Sequence, residues 1–283
     1  MTGIVSSPRP PLSPTPGEPF DRAARRQQVA RVQPGFDFLS RALAADLSAR
    51  VTAADRRFDV AVDLGGTGII GDALTIRIDA AMRTPADRAT GTSGGRDSAA
   101  DARAAPPRVK SIDIVADADR LPIADASVDL IAAFGLHAVG DLPGALILAR
   151  RAMRPGGLFV AAVVGGATLA EVRADFLAAE VAVTGRAAPR VLPMVDPTAA
   201  PGLLQRAGFV DPVAEVDTLT IRYDDLASVL RDLRGAGEGN ILHGREPLRR
   251  DVLADAAARF AARAIAGRIA VTVQVITLTG RGR

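Results

Sequence analysis

The stretch that decides the fold is residues 111–164, SIDIVADADRLPIADASVDLIAAFGLHAVGDLPGALILARRAMRPGGLFVAAVV. Apolar runs of strand length occupy residues 112–116, 128–133 and 158–164, and acidic residues, glycine or proline bound each run. Between the last two runs, residues 142–153 repeat apolar side chains at helical spacing. Short apolar strands that alternate with helices are typical of a parallel sheet buried on both faces. The stretch therefore predicts half of a doubly wound α/β sheet.

The ends of these elements predict where a ligand binds. Arg154-Pro155-Gly156-Gly157 is expected to end the helix, because proline cannot continue it and glycine tolerates left-handed geometry. In open α/β sheets, ligands bind beyond the carboxyl ends of the strands. Asp117 directly follows the first run, so we expect it at the rim of a crevice that takes a small ligand.

The chain before residue 111 predicts two helices and two strands. A helical pattern covers residues 20–57, and Gln33-Pro34-Gly35 is expected to break it into two helices that cover one edge of the sheet. Residues 58–64 form the first predicted strand, which runs into the turn Asp63-Leu64-Gly65-Gly66-Thr67-Gly68. Residues 73–78 form the second, which ends at Asp79.

The chain after residue 164 predicts helices that cover the crevice and two more strands. The helices are expected between about 169 and 184 and at 196–208, 224–234 and 248–266, and the strands at 213–223 and 269–278. The segments 165–210 and 224–267 are therefore expected to lie over the site.

Length and composition predict one domain. With 283 residues and 48% hydrophobic content, the chain can bury one large core, which we place at residues 20–283. Residues 1–19 are rich in proline and serine and are expected to be disordered, with a ligand for proline-binding domains as the less favoured alternative. Residues 84–109 have few large apolar side chains and are expected to form a low-complexity surface loop.

Composition also excludes several classes of function. The chain has no cysteine and only His137 and His243, so no disulfide scaffold, cysteine nucleophile or metal site is expected. Its 35 basic and 32 acidic residues give a net charge of +3, and the arginines are scattered, so no nucleic-acid partner is expected. No apolar run reaches the roughly 18 residues that span a bilayer, and no secretory signal is recognisable. We expect a cytoplasmic protein without a membrane span.

The order of these features resembles the second half of class I S-adenosylmethionine (SAM) dependent methyltransferases. The residues that carry it are Asp117, Leu121-Pro122, the predicted helix, and Arg154-Pro155-Gly156-Gly157 before the last strand. The resemblance implies an α/β, Rossmann-like fold with a mostly parallel seven-stranded sheet, helices on both faces and helical insertions near the C-terminus. It implies SAM as cofactor. A nucleic-acid methyltransferase would carry an Asn/Asp-Pro-Pro-aromatic signature where this chain has Phe134-Gly135-Leu136-His137.

Within that fold, the chain resembles the family of methyltransferase-fold assembly factors of respiratory complex I, whose mitochondrial members are arginine hydroxylases, together with their bacterial relatives. The segments that carry this resemblance are Phe20-Asp21-Arg22, Phe36-Asp37-Phe38-Leu39, Leu136-His137, Asp141-Leu142-Pro143-Gly144, Gly165-Gly166-x-Thr168-Leu169-x-Glu171-x-Arg173, Gly237-Glu238-x-Asn240 and Pro247-Leu248-Arg249-Arg250. Malonyl-carrier-protein methyltransferases are a more distant relative. The resemblance implies a SAM-dependent enzyme that acts on a protein side chain or a small molecule, including arginine modification on a complex I subunit.

The glycine turn and three aspartates are the expected cofactor residues. Gly65, Gly66 and Gly68 would face the methionine end of SAM, and Asp79 would accept hydrogen bonds from both ribose hydroxyls. The adenine would lie against Asp117 and Ala118, while Asp63 would favour the sulfonium cation by its charge. The alternative for the glycine turn and Asp79 is a simple tight turn followed by a surface aspartate.

The expected catalytic and substrate residues follow the later strands. His137 lies just past the fourth strand and is the candidate general base, with a structural histidine as the alternative. The residues expected to bind the substrate by charge-assisted hydrogen bonds are Glu171, Arg173, Tyr223, Glu238 and Asn240. Helix-surface ion pairs are the alternative for each of them.

One departure from the family pattern supports a second functional hypothesis. The glycine motif is one residue short, and Asp63 and Asp79 are only 16 positions apart, which is about eight fewer than the family pattern and removes roughly two helical turns. A parallel crossover usually needs a dozen or more residues. The alternative function is therefore a non-catalytic assembly or interaction protein that keeps the fold and has lost SAM binding.

Overall fold

A computed structural model describes residues 18–66, 68, 73–81 and 111–283. The predicted low-complexity loop at 84–109 and all but the last two residues of the predicted tail at 1–19 lie outside the described residues.

One seven-stranded sheet organises the described chain. The strands are β1 (Val60–Leu64), β2 (Leu74–Asp79), β3 (Ser111–Val115), β4 (Val128–Phe134), β5 (Met153–Val164), β6 (Val210–Tyr223) and β7 (Ile269–Arg281). Their order across the sheet is β3-β2-β1-β4-β5-β7-β6. The first five strands are mutually parallel, and β7 is antiparallel to both β5 and β6. This confirms the predicted α/β fold with its mostly parallel sheet.

Seven α-helices accompany the sheet in the described residues. They are α1 (Arg22–Val29), α2 (Phe38–Ala53), α3 (Leu142–Ala152), α4 (Ala170–Thr184), α5 (Ala200–Ala207), α6 (Leu226–Gly235) and α7 (Arg250–Ala261). Several begin at an aspartate whose side chain accepts a backbone N–H of the first turn, as Asp21 does in α1, Asp141 in α3 and Asp225 in α6. Such caps satisfy amides that have no partner within the helix.

Alternate residues of the central strands build a core on each face of the sheet. Ile131 and Phe159 pack on the side of α3 and α5, whereas Leu130 and Val160 pack on the side of α2. Because side chains alternate along a strand, continuous apolar strands supply both cores. The expectation that the N-terminal helices cover an edge was wrong for α2, whose Leu43 and Leu47 join the core on one face.

The boundary between α3 and β5 also differs from the expectation. The helix ends at Ala152, because Met153 is already extended and pairs with Val128 of β4. Arg154-Pro155-Gly156-Gly157 therefore lies in the first residues of β5 instead of ending the helix. The pairing of β4 and β5 shifts register there, and Gly156 takes the left-handed conformation with φ +72°.

The carboxyl ends of the parallel strands β1 to β4 point to the same end of the sheet. The residues predicted to bind the ligand lie at or follow these strand ends. The connection from β1 to β2 has nine residues, since Leu64 ends one strand and Leu74 begins the other. The two strands still pair in parallel over five residues. In the part of the chain that the structure describes, no helix is both long enough and apolar enough to cross a membrane.

Candidate active site

A cavity of about 1320 Å³ opens at the carboxyl ends of the strands. Loops after the parallel strands form its floor, and residues of α1, α2, α4 and α6 form its walls. Eleven of the thirteen residues that the sequence predicts for the site line this cavity, namely Asp63, Gly65, Gly66, Gly68, Asp79, Asp117, Ala118, His137, Tyr223, Glu238 and Asn240. Glu171 and Arg173 lie outside its lining.

The turn after β1 brings backbone and carboxylate close together. Gly65, Gly66 and Gly68 have φ of +79°, +70° and +69°, which L-residues rarely adopt. A Cβ on Gly65 would lie 2.4 Å from the carbonyl oxygen of Phe134 at the end of β4. The Asp63 carboxylate is buried and accepts a hydrogen bond of 3.0 Å from the Gly68 amide. The turn is therefore held by Asp63, and only glycine fits its first position.

Asp79 lies beside this turn. Leu64 pairs with Ile78 in the parallel register of β1 and β2, and the Gly65 amide donates to the Ile78 carbonyl at 2.8 Å. The next residue, Asp79, therefore stands level with the glycine turn at the same edge of the sheet. Its Oδ1 accepts the amide of Ala80 at 2.7 Å.

Two arginines of α1 hold the loop after β3. Asp117 Oδ2 accepts hydrogen bonds from Arg26 at 2.8 Å and lies 3.1 Å from Arg22 Nη1. Arg22 also donates two bonds of 2.6 Å to the carboxylate of Asp119. Burial would raise the pKa of Asp119, but the paired Arg22 guanidinium lowers it below its ordinary value. Helix α1 is thus fixed to the loop that carries Asp117 and Ala118.

These residues fit the SAM molecule that the fold implies. The glycines put no side chain between a ligand and the backbone of the turn, and the carboxylates of Asp63 and Asp79 line the same cavity, so a sulfonium and ribose hydroxyls bound there would meet carboxylates. The predicted adenine contact is less open than the sequence suggests, because Asp117 Oδ2 already accepts from Arg26 and forms an ion pair with Arg22. The residues that would hold SAM are therefore Gly65, Gly66, Asp79 and Ala118, with Asp117 shared between α1 and the ligand.

After β4, His137 forms a charged cluster with Glu238 and Arg25 in the lining of the same cavity. His137 Nε2 lies 3.1 Å from Glu238 Oε2, and Arg25 contacts both oxygens of Glu238 at 3.2 and 3.3 Å. Burial would raise the pKa of Glu238, but Arg25 and His137 together hold it at about 2. Because Glu238 is ionised, Nε2 of His137 must be the donor in their hydrogen bond.

Tyr223 and Asn240 line the cavity with their polar atoms already bonded. Burial, together with a hydrogen bond to Asp232, raises the pKa of the Tyr223 phenol. Asn240 donates to the Pro189 carbonyl at 3.2 Å and accepts from the Leu242 amide at 2.9 Å. Asn240 thereby shapes its loop, and the Tyr223 ring forms part of the wall.

The segment 165–173, which follows β5, is hydrogen-bonded to β7. Thr168 Oγ1 donates to the Gln274 carbonyl and accepts from the Gln274 amide, both at 3.0 Å. Glu171 accepts from the Thr272 amide at 3.1 Å and from its hydroxyl at 2.6 Å, and Arg173 donates to the Thr168 carbonyl. For Glu171, the geometry favours a role in tying β7 to this loop over the predicted contact with substrate, whereas Arg173 bonds back to the loop itself.

The sequence does not single out the partners on α1. Arg25 lines the cavity, but in the sequence it is one of several scattered arginines of the N-terminal helices. The spacing of Arg22, Arg25 and Arg26 was the available signal, because residues three and four apart share one face of a helix. That face meets Asp117, Asp119 and Glu238.

Comparison with known proteins identifies the family. Residues 66–161 match a family model described as a methyltransferase domain. The human protein named mitochondrial arginine-hydroxylase NDUFAF5 is 31% identical over 97% of this chain and 80% of its own length. A malonyl-[acyl-carrier protein] O-methyltransferase of Xylella fastidiosa is 38% identical over 47% of this chain and 43% of its own.

Solved structures agree on the fold. The YcgJ protein of Bacillus subtilis superposes with a TM-score of 0.53 at 14% identity, over 84% of this chain and 98% of that one. With a relative of more than 30% identity matched over most of both chains, the protein belongs to the NDUFAF5 arginine-hydroxylase family of methyltransferase-fold proteins.

Proposed function

We propose that the protein binds SAM in this cavity and is a SAM-dependent enzyme of methyltransferase type that modifies a side chain of a protein partner. The names of its relatives point to arginine as the modified residue, and the family resemblance points to a subunit of respiratory complex I as the partner. Because a malonyl-[acyl-carrier protein] O-methyltransferase matches 47% of this chain, the wider substrate class also includes a small molecule or a carrier-bound group.

The observation that carries the proposal is that one cavity holds two sets of groups. The glycine turn and Asp79 would form the cofactor cradle, and His137 with Glu238 and Arg25 forms an ionisable cluster in the lining of the same cavity. At about 1320 Å³ the cavity exceeds the ~300–1,000 Å³ of ordinary small-ligand pockets, so there is room for a cofactor and an entering side chain.

Each group has a defined task in this proposal. Bound SAM would supply an activated methyl group. Asp79 and the close-approach backbone of the glycine turn bind and orient the nucleoside and amino-acid ends, and Asp63 keeps the turn in shape. His137 accepts a hydrogen bond or a proton from the entering nucleophile, and Glu238 holds its ring in one orientation. Helix α1 closes the cavity through its arginines.

The test is a product analysis. Purified protein would be incubated with SAM and with peptides that cover the arginines of complex I subunits, and the products would be examined by tandem mass spectrometry. A SAM-dependent mass gain of one methylene group on an arginine supports methyl transfer. A gain of one oxygen only when an oxidant and a reductant are added would assign hydroxylation instead. Peptides that stay unmodified under both conditions would contradict an enzymatic role on arginine.

A second candidate function is a non-catalytic assembly protein. Two observations favour it. The connection between β1 and β2 has only nine residues, and Asp117 Oδ2, which is predicted to contact the adenine, is already bound by two arginines. This candidate predicts stable association with a complex I subunit without SAM affinity, which pull-down combined with calorimetry would distinguish from the first.

A further inference from the structure

The carboxylates of α4 lie on the inner side of the helix. Asp175 and Glu180 are only 4% and 2% exposed, and they pair with Arg263 and Arg190. The carboxylate of Glu171 accepts hydrogen bonds from β7. On an ordinary surface helix the charged side chains face solvent, and acidic residues are rarely buried unless they are paired. The inner side of α4 therefore holds charges that are matched within the fold.

The outer side of α4 is apolar. Leu177 and Val181 are 47% and 51% exposed, and Ala170 and Ala174 are exposed on the same side. These four residues follow one another at intervals of four, three and four positions, so they form one stripe along the helix. Single exposed apolar side chains are common, whereas a continuous stripe marks a surface that another molecule covers.

A groove of about 260 Å³ lies beside this stripe. Helix α4 forms one wall of the groove with Arg173, Phe176 and Leu177, and the segment 187–191 forms the other wall. Phe176 and Val191 also line the large cavity, so the groove and the cavity share part of one wall. A chain segment bound in the groove would therefore lie next to the cavity.

The charges at the groove favour an acidic partner. Arg173 donates to the Thr168 carbonyl at 3.4 Å and has no carboxylate partner within the described residues. Arg186, which comes just before the segment 187–191, is 72% exposed and lies 3.4 Å from Glu246, which is exposed as well. Exposed ion pairs of this kind contribute little stability. Both arginines can therefore pair with carboxylates of a bound molecule.

We propose that the α4 stripe and the groove beside it bind an amphipathic helix of a partner protein, whose apolar side chains enter the groove and whose acidic residues pair with Arg173 and Arg186. The inference rests on the proposed function in taking this partner to be a protein. Amphipathic helices bind apolar grooves through side chains at positions i, i+3, i+4 and i+7. The alanines of the stripe allow a second helix to approach closely, because the distance between helix axes depends on the side chains at the contact.

Two other occupants match this surface less well. If α4 packed antiparallel on α4 of a second copy, Arg173 of one copy would face the end of the other helix, where Arg186 follows, and these like charges would repel. Helices that lie on a lipid surface usually insert tryptophan, phenylalanine or several leucines. The α4 stripe has two alanines, one leucine and one valine instead.

The test uses two designed helical peptides that differ only in charge. Both carry leucines at positions i, i+3, i+4 and i+7, and their flanking positions are glutamate in one peptide and lysine in the other. Fluorescence anisotropy would measure their binding to the full-length protein without SAM, for the wild type, Leu177→Ser, Arg173→Gln and two controls, Ile147→Ser and Arg151→Gln. Ile147 and Arg151 are matched controls, because they are exposed on α3 and line neither the groove nor the cavity.

The acidic peptide is expected to bind the wild type at least about 10-fold more tightly than the basic peptide. Leu177→Ser should weaken its binding about 10-fold, because a leucine side chain is no longer buried at the contact. Arg173→Gln should reduce the preference for the acidic peptide, and both α3 variants should match the wild type. No binding of the acidic peptide, equal binding of the two peptides, or equal effects of Leu177→Ser and Ile147→Ser would overturn the proposal.

Sedimentation velocity and flotation with vesicles of anionic or neutral phospholipid test the other two occupants. The wild type is expected to remain monomeric and not to float with vesicles. Self-association that Leu177→Ser abolishes would assign the stripe to a second copy, and vesicle binding that the same variant abolishes would assign it to a lipid surface. Either result would overturn the proposed helix partner.

Thermal unfolding and cofactor titration supply two further readouts. Because Leu177 is 47% exposed, Leu177→Ser should melt close to the wild-type temperature, and a clear fall would show that Leu177 stabilises the fold instead of a contact. Affinity for S-adenosylhomocysteine would be measured on the same samples by calorimetry. A protein that binds the acidic peptide and not the cofactor would contradict the SAM-dependent function alone, whereas the reverse result would contradict the docking surface alone.

Discussion

Gly65 is the residue on which the shape of the cofactor turn depends most directly. Its φ of +79° disfavours any side chain, and a Cβ would lie 2.4 Å from the Phe134 carbonyl oxygen. The same close approach brings the ends of β1 and β4 together beneath the cavity. At the scale of one residue, backbone geometry and ligand access therefore depend on the same missing side chain.

Gly65→Ala is expected to lower the free energy of unfolding by about 3 kcal/mol and to abolish SAM binding. Gly185→Ala is the matched control, because Gly185 has φ of +72° at the end of α4 but nothing within 4 Å of a Cβ. The control should lose only ~1 kcal/mol, which is the conformational cost alone. Equal losses in urea unfolding would show that the contact with Phe134 has no effect.

Glu238 gives a prediction for the dependence of stability on pH. Its pKa in the folded state is about 2, below the ordinary value of 4.5. A lowered pKa means that the ionised group stabilises the fold above about pH 4.5, and that this contribution is lost as the pH falls toward 2. Glu238→Gln should therefore be less stable than the wild type by about 2 kcal/mol at neutral pH.

The two unfolding curves should converge on acidification, when Glu238 of the wild type takes up its proton. Urea unfolding between pH 7 and pH 3 would measure the difference in free energy. Asp46→Asn is the control, because Asp46 is an exposed carboxylate and its removal should show no comparable trend with pH. A difference that stays constant with pH would show that the charge of Glu238 is not what stabilises this cluster.

At the scale of elements, α1 is bonded to two separate segments that line the cavity. Arg22 and Arg26 bind the carboxylates of the loop after β3, while Arg25 of the same helix binds Glu238 in the loop after α6. The arginine spacing puts all three on adjoining positions of one helix. Docking of α1 thereby joins the loop that carries Asp117 to the segment that holds Glu238 beside His137.

Arg22→Lys keeps the charge and removes the paired hydrogen bonds to Asp119. We expect backbone amides near residue 120 to exchange with deuterium roughly 5- to 30-fold faster, which corresponds to about 1–2 kcal/mol of local stability. Arg31→Lys on an exposed residue just after α1 is the control and should exchange as the wild type does. Unchanged exchange in Arg22→Lys would show that the paired hydrogen bonds from Arg22 to Asp119 do not stabilise this loop.

The loop after β5 gives the second prediction at this scale. Thr168 is buried and bonds both backbone groups of Gln274 in β7. Thr168→Val keeps the volume but leaves the Gln274 amide without its partner, while the Gln274 carbonyl still accepts from the Gly165 amide at 2.8 Å. The free energy of unfolding should therefore fall by about 2 kcal/mol, whereas Thr168→Ser should lose less than ~1 kcal/mol. If urea unfolding finds valine and serine equally stable, the hydroxyl does not tie the loop to β7.

At the scale of the whole molecule, the sequence predicts the sheet well and the site in part. Strands such as β4 and β5 are continuous apolar runs, and their period and bounding glycines are local signals. The residues predicted to bind the cofactor lie at or follow strand ends, and all of them line one cavity. What local patterns cannot show is which distant charges meet, so the pairing of Arg25 with Glu238 and the tie between Glu171 and Thr272 appear only in the folded chain.

The central claim is that the cavity binds SAM despite the nine-residue connection between β1 and β2. The most direct measurement is calorimetric titration of SAM and S-adenosylhomocysteine into the wild type, Asp79→Asn and Asp125→Asn. Asp125 is the control, because it is exposed, pairs with Arg151 and is not part of the cavity lining. We predict micromolar binding by the wild type and the control, and at least about 10-fold weaker binding by Asp79→Asn, which loses charged acceptors for the ribose hydroxyls. No binding by the wild type at millimolar ligand, or equal affinity in Asp79→Asn, would contradict the account.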